Sequence, residues 1–292
     1  MKILLTGRPG IGKSTILQKF RGGFTGKIYG IVARELRDED NNRVGFSAEN
    51  SAKKEKVFAH KYKIKSEFIV GGKYHVDIKA IDDFVVPEIK RGIQDPDSVI
   101  LIDEIGRMQS FSKLFMQAIR ETLNSECNIL ATIVFDPEPW SIEFKKHPGA
   151  VLIEVDETNR EILPELLLLI YRSISQINRL SLSQRDKFLQ LTRQYFSQNQ
   201  FIQIRKLFNN ALFYVINKKI ALEKETANEE IYRVIGKHDS HLVRLSLVNN
   251  NFYCDCDLFK GRKDYAGKVG ECSHIQSVIL DLIDKGDKDV RA

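Results

Sequence analysis

The chain has 292 residues, 42% hydrophobic and 29% charged, with ordinary Gly and Pro content; it is a folded protein long enough for two domains, and collagen-like, mucin-like and long disordered tracts are excluded. The formal net charge of +6 is unevenly spread: residues 1–178 hold 26 basic and 25 acidic side chains, residues 179–292 hold 19 and 14. The greasiest stretch, Ile162 to Ile170, is interrupted by Glu165, and the apolar start Ile3-Leu4-Leu5 stops too early for a signal peptide, so a cytoplasmic protein with reduced thiols and no membrane partner is expected.

The first element is a short apolar strand over 2–6. Behind it, Gly7 to Ser14 reads GRPGIGKS and satisfies the phosphate-loop pattern, and a helical run over 13–20 follows. Glycines let consecutive N–H groups turn toward one anion, and the helix N-terminus adds partial positive charge. The candidate nucleotide contacts are Gly7, Arg8, Pro9, Gly10, Ile11, Gly12, Lys13, Ser14 and Thr15. Lys13 is placed to reach the β- and γ-phosphates, and Ser14 to ligate Mg²⁺.

Further strands are predicted over 28–32, 99–103, 128–135 and 151–155, and helices over 81–93, 110–123 and 158–178. The segments 43–47 and 52–65 read as an inserted β-meander. This alternation is the βα pattern of a parallel sheet with helices on both faces. The run Ser98 to Glu104 is apolar until its last two residues, as suits a strand buried on both faces that opens onto a ligand crevice. Asp103 then takes the Mg²⁺ shell, and Glu104 is the candidate general base that orients a water.

The stretch Asp103-Glu104-Ile105-Gly106-Arg107-Met108, with Phe111-Ser112, resembles the second motif of the thermophile-type nucleoside-triphosphatase family. Gly30, Glu35, Arg37 and Arg43-Val44-Gly45-Phe46 match another family block in the same order, as do Gly72-Lys73-Tyr74 with Val76-Asp77, and Asn159-Arg160. The resemblance covers about residues 1–178. It implies a RecA-like three-layer α/β/α core and Mg²⁺-dependent hydrolysis of ATP or GTP, with a nucleotide or nucleoside kinase and a slow nucleotide-responsive adaptor as alternatives. RecA-like cores often assemble, so homo-oligomers enter as an expectation. Arg107 stands where the family has Lys, and Ala33 where threonine is common; Arg keeps the charge and gains a fork geometry that suits phosphate. Arg8, Arg37, Lys73 and Arg107 are therefore second-tier site candidates. Tyr74, beside a strand, reads as a core aromatic rather than a base-stacking one.

From Leu180 to Leu222 there are seven Lys or Arg and one acid, Asp186, interleaved with aromatics at helical spacing. Two helices with buried aromatic faces are expected, forming a basic connector over 179–229. Such a stripe reads as a solvated helix face or as a surface that neutralises nucleic-acid phosphates.

Cys254-Asp255-Cys256 is followed by Cys272-Ser273-His274. Three thiolates and an imidazole in two close pairs are a standard closed zinc set, which folds a segment too small for its own core. Cys127, within an apolar strand, reads as a buried small side chain. The C-x-C…C-x-H spacing, the hairpin read in 232–235 and 242–248, and a helix from 275 together resemble a SWIM zinc finger with a ββα fold, covering about 230–284 and placed in a domain 230–292. That resemblance implies engagement of nucleic acid, DNA rather than RNA, or of a DNA-repair or recombination protein, with Lys260, Arg262, Lys263 and Lys268 placed to meet phosphate.

Overall fold

The computed structural model describes residues 1–236, 239–256 and 272–284. Lys260, Arg262, Lys263 and Lys268 lie outside the described residues. The chain divides into two compact units, Met1–Tyr171 and Arg172–Ala292.

The first unit is built on a nine-stranded sheet ordered β5-β6-β4-β3-β2-β7-β8-β1-β9. Its parallel half comprises β1 (Lys2–Thr6), β2 (Ile28–Arg37), β7 (Val99–Ile105), β8 (Asn128–Ile133) and β9 (Val151–Glu154). The central strands β1, β7 and β8 are near-continuous buried runs because both faces are covered, whereas the edge strand β9 buries only alternate residues. Leu4, Ile100, Ile102 and Ile129 pack in one cluster with Ile89 of helix α3 (Val86–Ile93) and with Phe115 and Ile119 of α4 (Lys113–Asn124). The alternate residues Ile3, Leu5, Leu101 and Leu130 are equally buried. Helices α1 (Lys13–Gly23) and α6 (Leu163–Arg172) meet closely, with Phe20 edge-on to Tyr171 at 5.2 Å and Gly23 leaving room for Leu168.

Local chemistry explains where the elements begin. Ser112 caps α4 by accepting from Phe115 N at 2.9 Å, just ahead of the residues that enter the core. The helix predicted over 158–178 starts later, at Leu163. Asp156 accepts from the Thr158 and Asn159 backbones, and Asn159 returns a 2.8 Å bond to Glu154 O, so a polar turn occupies the first positions. The helix predicted over 81–93 begins at α2 (Ile78–Ala80), capped by Asp77, and passes through a π-helical stretch (Ile81–Val85) into α3.

The predicted meander becomes the antiparallel half of the same sheet. β2 continues past its parallel partner to Arg37 and pairs antiparallel with β3 (Arg43–Asn50), which is followed outward by β4 (Glu55–His60), β6 (Tyr74–Val76) and β5 (Ile69–Val70). A buried ion network ties β3 to helix α1. Glu49, 7% exposed, takes Arg21 of α1 at 2.9 Å together with Arg34 of β2, and Asn50 passes the chain of bonds on to buried Glu88 of α3 at 2.9 Å.

In the second unit, α8 (Leu182–Ser197) opens with a capping box between Ser181 and Gln184 and buries Phe188, Leu191, Tyr195 and Phe196. A second helical stretch runs through α9 (Phe201–Lys206), a π-helical segment (Leu207–Ala211) and α10 (Leu212–Ile216). The antiparallel sheet has four strands, β10 (Ile220–Glu225), β11 (Glu229–Ile235), β12 (Ser240–Ser246) and β13 (Asn251–Cys254), so the expected hairpin is flanked on both sides. The inward residues Tyr232, Val234, Val243, Leu245 and Phe252 pack with Ile275, Val278 and Ile279 of the last helix, α11 (Ser273–Asp284), numbered in chain order. No helix among the described residues is long and apolar enough to cross a membrane.

Candidate functional site

The phosphate loop leaves β1 at Thr6 and enters α1 at Lys13. Gly7 has φ +138°, and a Cβ there would stand 2.6 Å from Val155 O, so the loop can pass the end of β9 only with glycine. Gly12, at φ +112°, caps α1 in a conformation that L side chains disfavour. Arg8, Pro9 and Gly10 are exposed, Ile11 and Gly12 half-buried, and Ser14 and Thr15 stand exposed on the first turn of α1. The Lys13 ammonium folds back over the loop and donates to Gly7 O at 2.7 Å and Arg8 O at 3.1 Å.

The sheet register delivers the acids to the same place. Parallel pairing sets Asp103 of β7 opposite Val32, at the carboxyl end of the parallel strands. Asp103 is 4% exposed; Thr132 of the neighbouring strand β8 donates to its Oδ1 at 2.6 Å, and the nearby Ser14 hydroxyl favours the charged form of the same carboxyl. Burial pushes the Asp103 carboxyl up, against the opposing pull of Thr132, Ser14 and Lys13. Burial also pushes Glu104 up, and the Asp103 charge adds to it while Lys13 opposes. The Lys13 ammonium is drawn down by its own burial, with Glu104 and Asp103 pulling the other way. Lys13, Ser14, Asp103 and Glu104 thus form one interacting group, with oxygen donors of the kind a hard divalent cation takes.

Three of the second-tier residues, Arg107, Arg37 and Lys73, have partners within the chain. Arg107 bonds Asp136 at 2.9 Å and Glu138 at 2.8 Å, both in the loop after β8. Arg37 bonds Glu35 at 2.6 Å and Asn41 O at 2.7 Å. The Lys73 ammonium lies 5.6 Å from the ring centroid of Tyr74, and Tyr74 is 6% exposed and edge-on to Phe46, a core aromatic. Arg8 contributes its carbonyl to Lys13 and leaves its side chain exposed. Ala33 is half-buried within β2. Sequence reasoning missed Thr132, which donates to Asp103; its signal is a lone hydroxyl in a buried strand whose other polar residue is its first, Asn128.

In the second unit, Cys254, Cys256, Cys272 and His274 are all buried, with ligand atoms within 4.8 Å of one another. The His274 Nδ1 stands 3.7 Å from Cys254 Sγ and 3.8 Å from Cys272 Sγ. A tetrahedral zinc with Zn–S of about 2.3 Å and Zn–N of about 2.0 Å requires donor separations of roughly 3.5–3.8 Å. The donor set and its spacing therefore fit zinc. The contact between Cys254 and Cys272 draws the Cys272 thiol down and pushes Cys254 up, so the pair favours one shared proton and one thiolate. His274 is held between rings, 4.3 Å from His241 and stacked at 5.5 Å on Tyr214. Asp255, between the first two thiols, accepts from Leu242 N at 2.9 Å and faces His241 Nδ1 at 3.3 Å. Cys127 is buried in the first unit, its Sγ 3.4 Å from Thr122 O.

The sequence profile of the NTPase family matches residues 2–168. Nucleoside-triphosphatase THEP1 of Aquifex aeolicus is 35% identical over 175 residues, covering 58% of this chain and 97% of the relative. Nucleoside-triphosphatase THEP1 of Thermotoga maritima is 33% identical over 179 residues, 61% of this chain and 98% of the relative. The crystal structure of THEP1 from Aquifex aeolicus superposes with a TM-score of 0.53 at 33% identity, over 59% of this chain and 99% of that one. The strand–loop–helix at Gly7 to Ser14, the acids closing β7 and these likenesses all lie in the same stretch, and the chain belongs to the THEP1 family of nucleoside-triphosphatases.

Proposed function

We propose that the first unit hydrolyses nucleoside triphosphates, ATP and GTP among them, by in-line attack of water on the γ-phosphate. The observation that carries this reading is the convergence of Lys13, Ser14, Asp103 and Glu104 where β1 and β7 end. The loop N–H groups and the α1 N-terminus bind the phosphates, and Lys13 exchanges its two carbonyl partners for phosphate oxygens. Ser14 and Asp103 would hold Mg²⁺, which would supply neutralisation of phosphate charge. Thr132 keeps the Asp103 carboxylate in place for that purpose. Glu104, made more basic by burial, orients the water and accepts its proton. A RecA-like core agrees with the order of the parallel strands, in which the phosphate-loop strand β1 is separated from the acidic strand β7 by β8. The test is phosphate release with ATP and GTP at saturating Mg²⁺: release should disappear in Lys13→Ala and Glu104→Gln, and a rate untouched by either change would refute the assignment.

We further read the tail as a SWIM-type finger that engages nucleic acid or a DNA-associated partner. Support comes from the Cys3His set, the strands β11, β12 and β13 leading into the first thiol pair, and α11 starting at the last. Cys254, Cys256, Cys272 and His274 would hold zinc in a closed structural site, with residues 179–229 as the basic segment joining 1–178 to 230–292. Steady-state phosphate release with single-stranded DNA, duplex DNA and RNA at low salt tests the coupling. Stimulation by DNA is expected; indifference to all three polymers would shift the tail toward a protein partner.

A further inference from the structure

The antiparallel half of the first unit's sheet concentrates cations that have no carboxylate partner. Residues 51–76 contain seven lysines and two acids, Glu55 and Glu67, whereas residues 1–178 as a whole are close to balance. Lys53, Lys54, Lys56, Lys63, Lys65 and Lys73 are exposed and Lys61 is half-buried, and among the described residues none of them bonds a carboxylate. Lys61, just after β4, and Lys73, just before β6, each stand 5.6 Å from the ring centroid of Tyr74, so the two strand ends feed one patch. The register sets where that patch lies. Lys61 N donates to Val44 O at 2.9 Å, next to the pairing of Gly45 with Leu36. Asp103 pairs with Val32, earlier in the same strand β2, and the strand rise puts Lys61 about 13 Å further along, past the carboxyl end where the phosphate loop opens.

Two histidines hold the loop after β4 in a fixed shape. His60 is buried, and its Nδ1 accepts from Tyr62 N at 3.0 Å and Lys63 N at 3.1 Å. Burial lowers its pKa and the Lys63 charge adds to this, so the ring is neutral and free to accept. His75 Nδ1 lies 2.8 Å from Ser66 O. Between these anchors Tyr62 points outward, 74% exposed, with Lys61 and Lys63 on either side of it in the chain. A cleft of about 390 Å³ adjoins, where Lys63 and Lys65 meet the apolar side chains of Ile64, Phe68, Val76 and Ile78. Its one acid, Asp77, is engaged in capping α2 by accepting from Ala80 N at 3.1 Å. Lysines on a sheet edge commonly serve only to block strand pairing. Lys56, in β4 beyond its pairing with β6, has that place, whereas Lys61, Lys63 and Lys65 lie outside any strand.

We propose that this basic meander binds single-stranded nucleic acid, with Tyr62 stacking on an unpaired base and Lys61, Lys63 and Lys65 meeting the flanking phosphates. Clustered ammonium groups attract any polyanion. An exposed ring set among them adds a planar face, which a base fills and an acidic peptide does not. A duplex keeps its base faces inside the stack, so the ring selects the single strand. This surface belongs to the first unit, so it stands whether or not the tail contacts nucleic acid. Its register places a bound strand on the side of the sheet where the nucleotide enters.

The test is fluorescence anisotropy with the full zinc-bound chain, titrated at several salt concentrations. The probes are labelled homothymidine and homouridine strands, which distinguish DNA from RNA as the source, with unlabelled strand, duplex DNA and polyglutamate as competitors. Tyr62→Ala should weaken strand binding about tenfold with the salt dependence unchanged, the weight of one stacked base. Lys63→Glu/Lys65→Glu should weaken it more than about tenfold and make the slope of log K against log salt shallower by roughly 1.4, as loss of two phosphate contacts to a single strand does. Melting temperature and phosphate release without nucleic acid should stay as in the unaltered chain, because these positions are exposed and outside the phosphate loop. Protection of Lys63 and Lys65 from acetylation by the bound strand, read by mass spectrometry on the unaltered chain, is a second measurement that no folding defect disturbs. Strand binding that none of the substitutions alters, with Lys63 and Lys65 still reactive, would move the contact to the tail and overturn the surface while the tail reading survives. A loss in the lysine variant without any effect of Tyr62→Ala would mark a bare charge patch and overturn the single-strand assignment. Preference for duplex, displacement by polyglutamate as readily as by unlabelled strand, or no binding at all would overturn it too. Binding lost in both variants, while nucleic acid leaves phosphate release unaltered, would uphold the surface and refute the coupling proposed for the tail.

Discussion

At the scale of single residues, the first unit places the Lys13 ammonium so that it shifts the proton affinity of Asp103 and Glu104 and they shift its own. Glu104→Gln keeps the shape of the side chain and removes its basicity. We expect kcat to fall by roughly 10²–10⁴-fold, the usual weight of a general base, while nucleotide affinity stays within a few-fold. Phosphate release and nucleotide titration separate the two. The raised Glu104 and the lowered Lys13 also set the pH profile. A base works when deprotonated and an ammonium when protonated. The acidic limb of kcat/KM should therefore lie above the ordinary glutamate value of 4.5, and the alkaline limb below the ordinary lysine value of 10.5. A profile in Glu104→Gln that retains the acidic limb would remove Glu104 from the role. Thr132→Val deletes the hydroxyl that holds Asp103 and should raise the Mg²⁺ concentration at half-maximal rate by roughly tenfold, as loss of an outer-sphere partner does. An unchanged Mg²⁺ requirement would show that Asp103 is held without it.

At the scale of elements, the site depends on how the strands are locked to one another and to α1. The Arg21–Glu49–Arg34 network joins α1, β3 and β2, and Glu49 is nearly buried while Arg34 is half in water. Glu49→Ala leaves Arg21 without its carboxylate inside the protein and should cost about 2 kcal/mol, less than a fully buried pair because solvent reaches the guanidinium side. Chemical denaturation measures this directly, and a loss below about 0.5 kcal/mol would mean that water replaces the carboxylate. Much of this level was legible beforehand. The central parallel strands β1, β7 and β8 announced themselves as apolar runs, because a strand covered on both faces has little polar alternation. The outward extension of the sheet by β3 to β6 was visible only as a meander of unknown docking, since the pairing of β2 with β3 beyond Val32 is a register choice between distant segments. Strand β10 escaped notice because Ala221, Leu222 and the residues to Glu225 are largely exposed, with no buried stripe to mark them.

At the scale of the whole molecule, two units carry different chemistry on one chain. Zinc held by Cys254, Cys256, Cys272 and His274 would stabilise the folded second unit by mass action, because the unfolded chain does not bring the two ligand pairs together. One zinc per chain is expected by metal analysis. Chelation, or Cys256→Ser, should lower the unfolding temperature of the second unit, observed as a separate early transition by calorimetry. A melt indifferent to chelation would exclude a structural zinc.

The sequence by itself determined the phosphate loop, the acidic end of β7 and the two pairs of candidate metal ligands, for one reason: each loop, strand end or pair is encoded in residues that are neighbours along the chain, where spacing alone specifies the local geometry. Only the tertiary structure decided that Thr132 holds Asp103, that Arg107 turns to Asp136 and Glu138, and that Glu49 bridges α1 and β2. Those partners lie 29 residues or more apart except at Glu49. No local pattern prescribes them, because strand register and helix docking are selected by burial summed over the whole core.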